Sequence, residues 1–410
     1  MNRVVVTGMG AITPVGADIP ASFAALLAGR SAVRPLVAPW AAAGSPLLWA
    51  PVTVDVESHF PKMRRMTLDR VSQLALLAVA QAVAESAIAW SGAASERCGI
   101  FWGTGMGGAT SLEAAYNDLL VARAARLRPS TIVMVMNNAA AGQIGIEYGI
   151  HGPSFTYSSA CSSSLVALGE AFRAVRSGYV ETAIVGGAEA LLTEGVIKAW
   201  SSLHTLARAD PAHPETSCRP FAADRSGFVL GEGAAALILE SEASALARGA
   251  TILAAITGYG NTTDASHIAQ PDAAGQARAM KLALADAGIE PGDIGYLNAH
   301  GTGTKVGDLS ETLAIKQVFG SHARALPVSA TKALHGHLMG ATGAVEMVVA
   351  LAALRSGALP PTAHLQTPDP ECDLDYIAGG ARQVSGLAHV MSNSFGFGGS
   401  NAVVIAGRAA

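Results

Sequence analysis

Four short segments recur in the same order along this chain, so it reads as two related halves fused in one polypeptide. Residues 6–10 (Val-Thr-Gly-Met-Gly) match 256–260 (Ile-Thr-Gly-Tyr-Gly), and residues 101–105 (Phe-Trp-Gly-Thr-Gly) match 299–303 (Ala-His-Gly-Thr-Gly). Residues 172–178 end Arg-Ser-Gly, as do residues 351–357, and residues 231–239 match 399–406. The offset between partners shrinks along the chain, which places the extra length in the first copy. We therefore divide the chain into an inflated half, 1–250, and a lean half, 251–410.

Each half alternates β-rich runs with helical patterns, the sign of α/β layering around a mixed sheet. Two such halves packed together make a five-layer α-β-α-β-α sandwich, with a sheet on either side of a central helical layer. Helices are expected over residues 68–85 and 275–287, the second stopped by Gly288. Residues 182–186 show no polar alternation and read as a buried strand. Two insertions inflate the first half: a polar stretch at 201–228, and 33–62, which has little periodicity.

Half of the 410 residues are hydrophobic and only 14% are charged, which fits a large buried core rather than a disordered or fibrous chain. The net charge of −4 and the lack of a dense basic run argue against a nucleic-acid partner. The start of the chain reads as a strand and a turn rather than a signal peptide. No uncharged apolar run reaches membrane-spanning length, so a soluble cytoplasmic protein is expected. Cys98, Cys161, Cys218 and Cys372 show neither zinc-knuckle nor disulfide-framework spacing.

Cys161 lies in Ala-Cys-Ser-Ser-Ser, after a β-prone stretch and at the start of a helical pattern. A helix N-terminus favours a thiolate, so its pKa is expected to fall toward neutrality; the alternative is an inert core cysteine. His300 sits just past a strand pattern at 294–298, among glycines and threonines that leave room for a substrate, or else it is a structural hydrogen-bonder. His337 lies across the internal pseudo-twofold from Cys161. His335 and His337 form an H-x-H pair, but no third ligand lies at zinc-like spacing, so no metal site is expected. Residues 103–108 match G-x-G-x-x-G after a strand, yet the acidic residue expected downstream is replaced by Arg123, Arg126 and Arg128, so a tight turn is preferred to a dinucleotide site. The Gly396-Phe-Gly-Gly399 turn is too compact for a phosphate loop, although its amides suit an oxyanion hole.

The ordered set Ala-Cys-Ser-Ser-Ser, Asn-Ala-His-Gly-Thr-Gly-Thr, Thr-Lys followed by Gly-His-Leu-Met-Gly-Ala, and Asn-Ser-Phe-Gly-Phe-Gly-Gly resembles the β-ketoacyl-[acyl-carrier-protein] synthases of the elongating, type II kind, within the thiolase-like superfamily. The resemblance spans essentially the whole chain. It implies two fused thiolase-like halves, usually in a homodimer, that condense a Cys161-bound acyl chain with a malonyl thioester borne on acyl carrier protein. No metal or free cofactor is implied, because the substrates ride on phosphopantetheine. His300 and His337 become the condensation pair, Lys332 joins the catalytic set, and Glu346 pairs with Lys332 to fix the histidine side. Phe395 matches the gating phenylalanine and, with Cys161, supplies oxyanion N–H groups. Thr302 and Thr304 match pantetheine-binding positions, and Met106 lies opposite the acyl pocket. Lys62, Arg64 and Arg65, with Arg70 nearby, form the densest basic cluster. The cluster is read either as a docking surface for an acidic carrier protein or as an ordinary solvated helix entry.

The nucleophile motif is closer to polyketide-type ketosynthases than to many fatty-acid enzymes, and His335 stands where a threonine or small residue is more usual. A non-catalytic scaffold of the chain-length-factor kind is disfavoured by the intact Cys161, His300 and His337, although a heterodimer with such a subunit remains compatible. A degradative thiolase is disfavoured because Cys372 lies outside the expected second cysteine motif.

Overall fold

Strand pairing repeats the duplication seen in the sequence. The computed structural model describes residues 1–41 and 46–409. The first half contributes β1 (Val4–Ile12), β2 (Cys98–Gly103), β3 (Ser154–Tyr157), β4 (Thr182–Glu189) and β5 (Gly233–Ser241), in the order β3-β2-β4-β5-β1. The second contributes β6 (Ala254–Thr263), β7 (Ile294–Asn298), β8 (Val328–Ser329), β9 (His389–Gly396) and β10 (Ser400–Gly407), in the order β8-β7-β9-β10-β6. Each half has the same mixture of parallel and antiparallel neighbours. The two sheets are not separate, however. β1 and β6 pair antiparallel, with Val4 opposite Ile256 and Val6 opposite Ala254, and join the halves into one ten-stranded sheet.

The helices repeat as well: α1 (Arg70–Ser86), α2 (Ala139–Tyr148) and α3 (Ser163–Ser177) correspond to α4 (Ala273–Ala287), α5 (Lys305–Phe319) and α6 (Thr342–Ser356). α1 packs on β1 and β5, and α4 on β6 and β10, as outer layers. α3 and α6 pack on each other and on strands from both halves, so they form the central layer. The five layers are thus present, and the hydrophobic core divides accordingly into a central cluster and one outer cluster per half. Leu165 and Leu354, fully buried on the central helices, belong to the first of these. Truncating either to alanine should cost about 2–5 kcal/mol.

Close packing explains the repeated Thr-Gly-x-Gly. A Cβ on Gly8 or Gly10 would lie 2.1 Å from the carbonyl oxygens of Ala82 or Ala78 in α1. A Cβ on Gly258 or Gly260 would lie 2.3 or 2.0 Å from those of Ala283 or Ala279 in α4. In each half an outer helix rests directly on strand backbone. α3 and α6 both end in a left-handed glycine, Gly178 and Gly357, which accounts for the matching Arg-Ser-Gly endings.

Residues Met339–Ser356 have the length and mean hydropathy (1.3) of a membrane span, yet 83% of that window is buried in the fold. This is the central core helix, apolar on every side because sheet or helix surrounds it. Of the 33–62 insertion, residues 42–45 lie outside the described residues.

Candidate active site

The turn that carries Cys161 is strained and latched. Ala160 takes the left-handed conformation (φ +52°) and Cys161 follows within a 3₁₀ turn, Ala160–Ser162, that leads into α3. Such a backbone costs about 1–3 kcal/mol at a non-glycine residue. The three serines offset that cost. Ser162 Oγ bonds Ser159 O (2.8 Å) and Ser400 Oγ (3.0 Å), and Ser163 Oγ donates to Ala160 O (2.7 Å) while accepting from Ser159 N (2.9 Å). Ser164 Oγ accepts from Ala344 N (2.9 Å), tying α3 to α6. Glycine is needed at 396, where a Cβ would sit 2.7 Å from Ser159 O and 3.3 Å from Cys161 N.

His300 follows β7 in a loop whose backbone is held by a buried carboxylate. The N–H groups of His300 and Gly301 donate to Glu311 (2.9 and 2.8 Å), which also accepts from Asn393 Nδ2 (3.0 Å). Gly301 and Gly303 have φ of +35° and +78°, so the Gly-Thr-Gly run is conformational. The fully buried Lys332 ammonium donates to the His300 carbonyl and, at 2.7 Å, to Glu346 Oε1. Lys332 is not among the residues that line the cavity; its ammonium grips the backbone of His300 from behind.

His337 is anchored by its N–H to Val229 O (2.6 Å), and its Nδ1 lies 2.9 Å from Thr342 Oγ1. The H-x-H pair is split. His335 turns away, with Nδ1 bound to Gly336 O (2.7 Å) and Nε2 to Thr331 Oγ1 (2.9 Å). Cys161, His300 and His337 converge instead, each offering a ligand-type atom within 4.8 Å of the other two. Among the described residues, His300 Nδ1 and His337 Nε2 are buried without a hydrogen-bond partner. The three line a cavity of about 700 Å³, with Thr302, Thr304 and Phe395 also on its wall.

Electrostatics corrects one expectation. Burial pushes the Cys161 thiol up to about 11, opposed by the charge of Lys332 and the backbone N–H of Phe397. Loss of solvent outweighs the helix start, so the resting group is a thiol, not a thiolate. Burial, then Lys332, holds both His300 and His337 well below 6.5, and each imidazole is neutral at pH 7.

A β-ketoacyl synthase N-terminal family model matches residues 1–245, and the corresponding C-terminal model matches residues 253–366. The chain is 41% identical over 407 residues to "3-oxoacyl-[acyl-carrier-protein] synthase 2" of Staphylococcus aureus (strain N315), covering 98% of both proteins. The chain belongs to the β-ketoacyl synthase family. Among solved structures, a β-ketoacyl synthase from Burkholderia phymatum STM815 superposes with a TM-score of 0.92 at 35% identity, covering both chains completely. The AntDE:AntF assembly, a type II PKS acyl-carrier protein in complex with its ketosynthase bound to the hexaketide, gives a TM-score of 0.91 at 28% identity, again over both full chains.

The remaining expected site residues of this synthase fall in three places. Phe395 packs in the second-half core, its ring 5.9 Å from that of His300, but the backbone N–H beside the Cys161 sulfur belongs to Phe397. Phe395 lies within β9, whereas Phe397 lies in the turn beyond it, 37% exposed, with its ring against Trp200 (5.7 Å). Met106 is half exposed and does not line the cavity; its N–H donates to Glu189 (3.2 Å). Lys62, Arg64 and Arg65 lie outside the cavity on a short exposed helix, where Arg64 pairs with Glu147 and Arg65 with Glu57 (3.2 Å).

Several groups escaped sequence reasoning. Glu189, at the end of β4, accepts from the N–H groups of Gly105 (2.6 Å), Met106 and Gly340 (2.9 Å), and from Thr104 Oγ1. It occupies the amides that a G-x-G-x-x-G phosphate site would need, which is why residues 103–108 form a turn. A carboxylate closing the apolar run of residues 183–188 was the available signal. Glu311, Asn393 and Thr342 left no such mark. The polar 201–228 insertion proves to wall the cavity through Thr205, Arg208, Arg225 and Phe228.

Proposed function

We propose that this synthase extends a carrier-bound acyl chain by two carbons through decarboxylative Claisen condensation in fatty-acid or polyketide synthesis. The convergence of Cys161 with two neutral imidazoles at the wall of a 700 Å³ cavity carries the reading. In the first step the thiol attacks an acyl thioester, its proton leaves to an unpartnered imidazole nitrogen, and the pantetheine thiol departs. The N–H groups of Cys161 and Phe397, both directed at the sulfur, suit the oxyanion. In the second step a malonyl thioester loses carbon dioxide, and imidazole N–H groups hold the resulting enolate oxygen. The enolate carbon attacks the acyl-Cys161 carbonyl, the sulfur leaves, and it regains a proton.

His337 can serve both steps. The Thr342 hydroxyl both donates and accepts, so Nε2 presents either a lone pair for the thiol proton or an N–H for the enolate. This chemistry requires no metal, since two imidazole donors suffice for the enolate charge. Thr302 and Thr304, whose hydroxyls lie 2.9 Å apart on the cavity wall, are assigned to the pantetheine arm.

The remaining assignments belong to the same reading. The halves 1–250 and 251–410 are treated as two thiolase-like units. A cytoplasmic location suits four free, buried cysteines. A second copy of the chain is assigned to the exposed apolar side chains of residues 112–136, including Leu120, Val121, Ile132 and Val133, together with Phe155 on the edge strand β3. Lys62, Arg64 and Arg65 are assigned to carrier docking. The test of the activity is incubation with acyl- and malonyl-loaded carrier protein. A β-ketoacyl carrier two carbons longer, absent with Cys161→Ala, supports the reading, and its absence with the unmodified protein sinks it.

A further inference from the structure

The cluster that serves condensation also has the composition of a soft-metal site. Sequence spacing pointed to His335 and His337 as the only metal-like pair, and the fold dismantles it, because both ring nitrogens of His335 are engaged elsewhere. In its place the fold assembles one thiol and two imidazoles from three distant segments, with their ligand atoms mutually within 4.8 Å. Among the described residues each of the two imidazoles keeps one buried ring nitrogen without a hydrogen-bond partner, Nδ1 of His300 and Nε2 of His337.

We infer that Cys161, His300 and His337 bind a zinc-class divalent cation, which occupies the position of the acyl group and reversibly shuts off the nucleophile. Three protein ligands with a fourth position open to the cavity is the pattern of accessible zinc sites, here Cys-His-His. Bonds of about 2.0–2.3 Å at tetrahedral angles need ligand atoms roughly 3.5 Å apart, so side-chain movements of about 1 Å or less complete the set. Thr342 Oγ1, 2.9 Å from His337 Nδ1, can accept an N–H there; in that tautomer Nε2 is bare, the outer-shell arrangement that metal-bound histidines use. The Lys332 charge opposes a cation, and Glu346 at 2.7 Å offsets that charge to the extent that its carboxyl is ionised. Coordination replaces the thiol S–H bond with an S–metal bond and releases one proton to solvent.

The inference concerns the same side chains as the proposed activity but does not depend on it, since binding is read without turnover. Titration calorimetry of the full chain with zinc chloride in two buffers of different ionisation enthalpy should show one ion bound and about one proton released. Cys161→Ser, His300→Ala and His337→Ala should each weaken binding at least tenfold, and Thr342→Val by about 10–100-fold. The exposed His213→Ala variant should bind as the unmodified protein does. Cobalt should give a thiolate-to-metal charge-transfer band that Cys161→Ser abolishes, and thermal melts of the metal-free variants separate lost ligands from lost folding. Equal zinc affinity in Cys161→Ser, or uptake without proton release, overturns the inference. A protein that binds zinc here but forms no condensation product would overturn the activity and leave the metal site standing.

Discussion

Lys332→Met tests how the fold holds His300. The ammonium is fully buried and makes two contacts: one to the His300 carbonyl and one to Glu346 at 2.7 Å. Its removal strands a buried carboxyl, a loss of about 3–5 kcal/mol. At roughly 2.1 cal/mol/K of unfolding entropy per residue, that loss lowers Tm by about 4–6 °C for a chain this long. The loss also depends on pH. Burial already raises Glu346 from its ordinary 4.5 to about 7, with Lys332 the main opposing influence. The folded protein therefore keeps a proton that the unfolded chain releases, and this group's contribution to stability falls as pH rises from about 4.5 to 7. Without Lys332 the folded pKa climbs further, so the variant's deficit should be small near pH 5 and largest above pH 7. Adding Glu346→Gln should restore most of the stability and flatten that pH dependence. Condensation should stay about 10²-fold down, the scale of a 1 Å misplacement, because the His300 carbonyl is still unheld. Calorimetric melts at several pH values, beside kcat and KM for condensation, provide the check. If the double variant regains full turnover along with its stability, the positioning role of Lys332 is refuted.

Four further outcomes are expected. Alkylation of Cys161 by iodoacetamide should rise about tenfold per pH unit from 7 to 10, as a thiol at about 11 requires, and a plateau near neutrality would show that the helix start wins after all. His300→Ala and His337→Ala should retain measurable acyl loading while malonyl decarboxylation drops by about 10²-fold or more; loss of loading with normal decarboxylation would reverse the assigned roles. Gly260→Ala, whose Cβ would meet Ala279 O at 2.0 Å, should destabilise the protein by about 1–3 kcal/mol or more in a denaturant melt, and an unchanged midpoint would show that α4 shifts freely. Charge reversal at Arg64 and Arg65 should raise KM for carrier-bound substrate more at low salt than at high, while sparing a small pantetheine thioester; equal losses would place carrier docking elsewhere.

The features legible in the sequence were those with a local cause. Thr-Gly-x-Gly recurs because an outer helix lies on strand backbone in each half, and Arg-Ser-Gly recurs because both central helices stop at a left-handed glycine. Ala-Cys-Ser-Ser-Ser is readable because a strained turn needs its hydroxyl latches nearby. What stayed hidden depends on partners distant in the chain. Glu311 reaches back to the His300 loop, Glu189 spans to Gly340, and the 201–228 insertion closes a cavity whose other walls come from separate segments around Cys161, Asp264, His300, His337 and Phe395. The thiol's elevated pKa reflects its burial, which no feature of the helix that follows it reveals. Two phenylalanines flank Gly396, and only the end of β9 separates the core side chain of Phe395 from the turn N–H of Phe397.

The most direct test of the nucleophile is intact-protein mass spectrometry with peptide mapping after incubation with an acyl-carrier thioester and no malonyl partner. The account predicts one acyl group per chain, on the peptide carrying Cys161, and none on Cys161→Ala. An acyl group mapped to Cys98, Cys218 or Cys372, or loading that persists in Cys161→Ala, would contradict it.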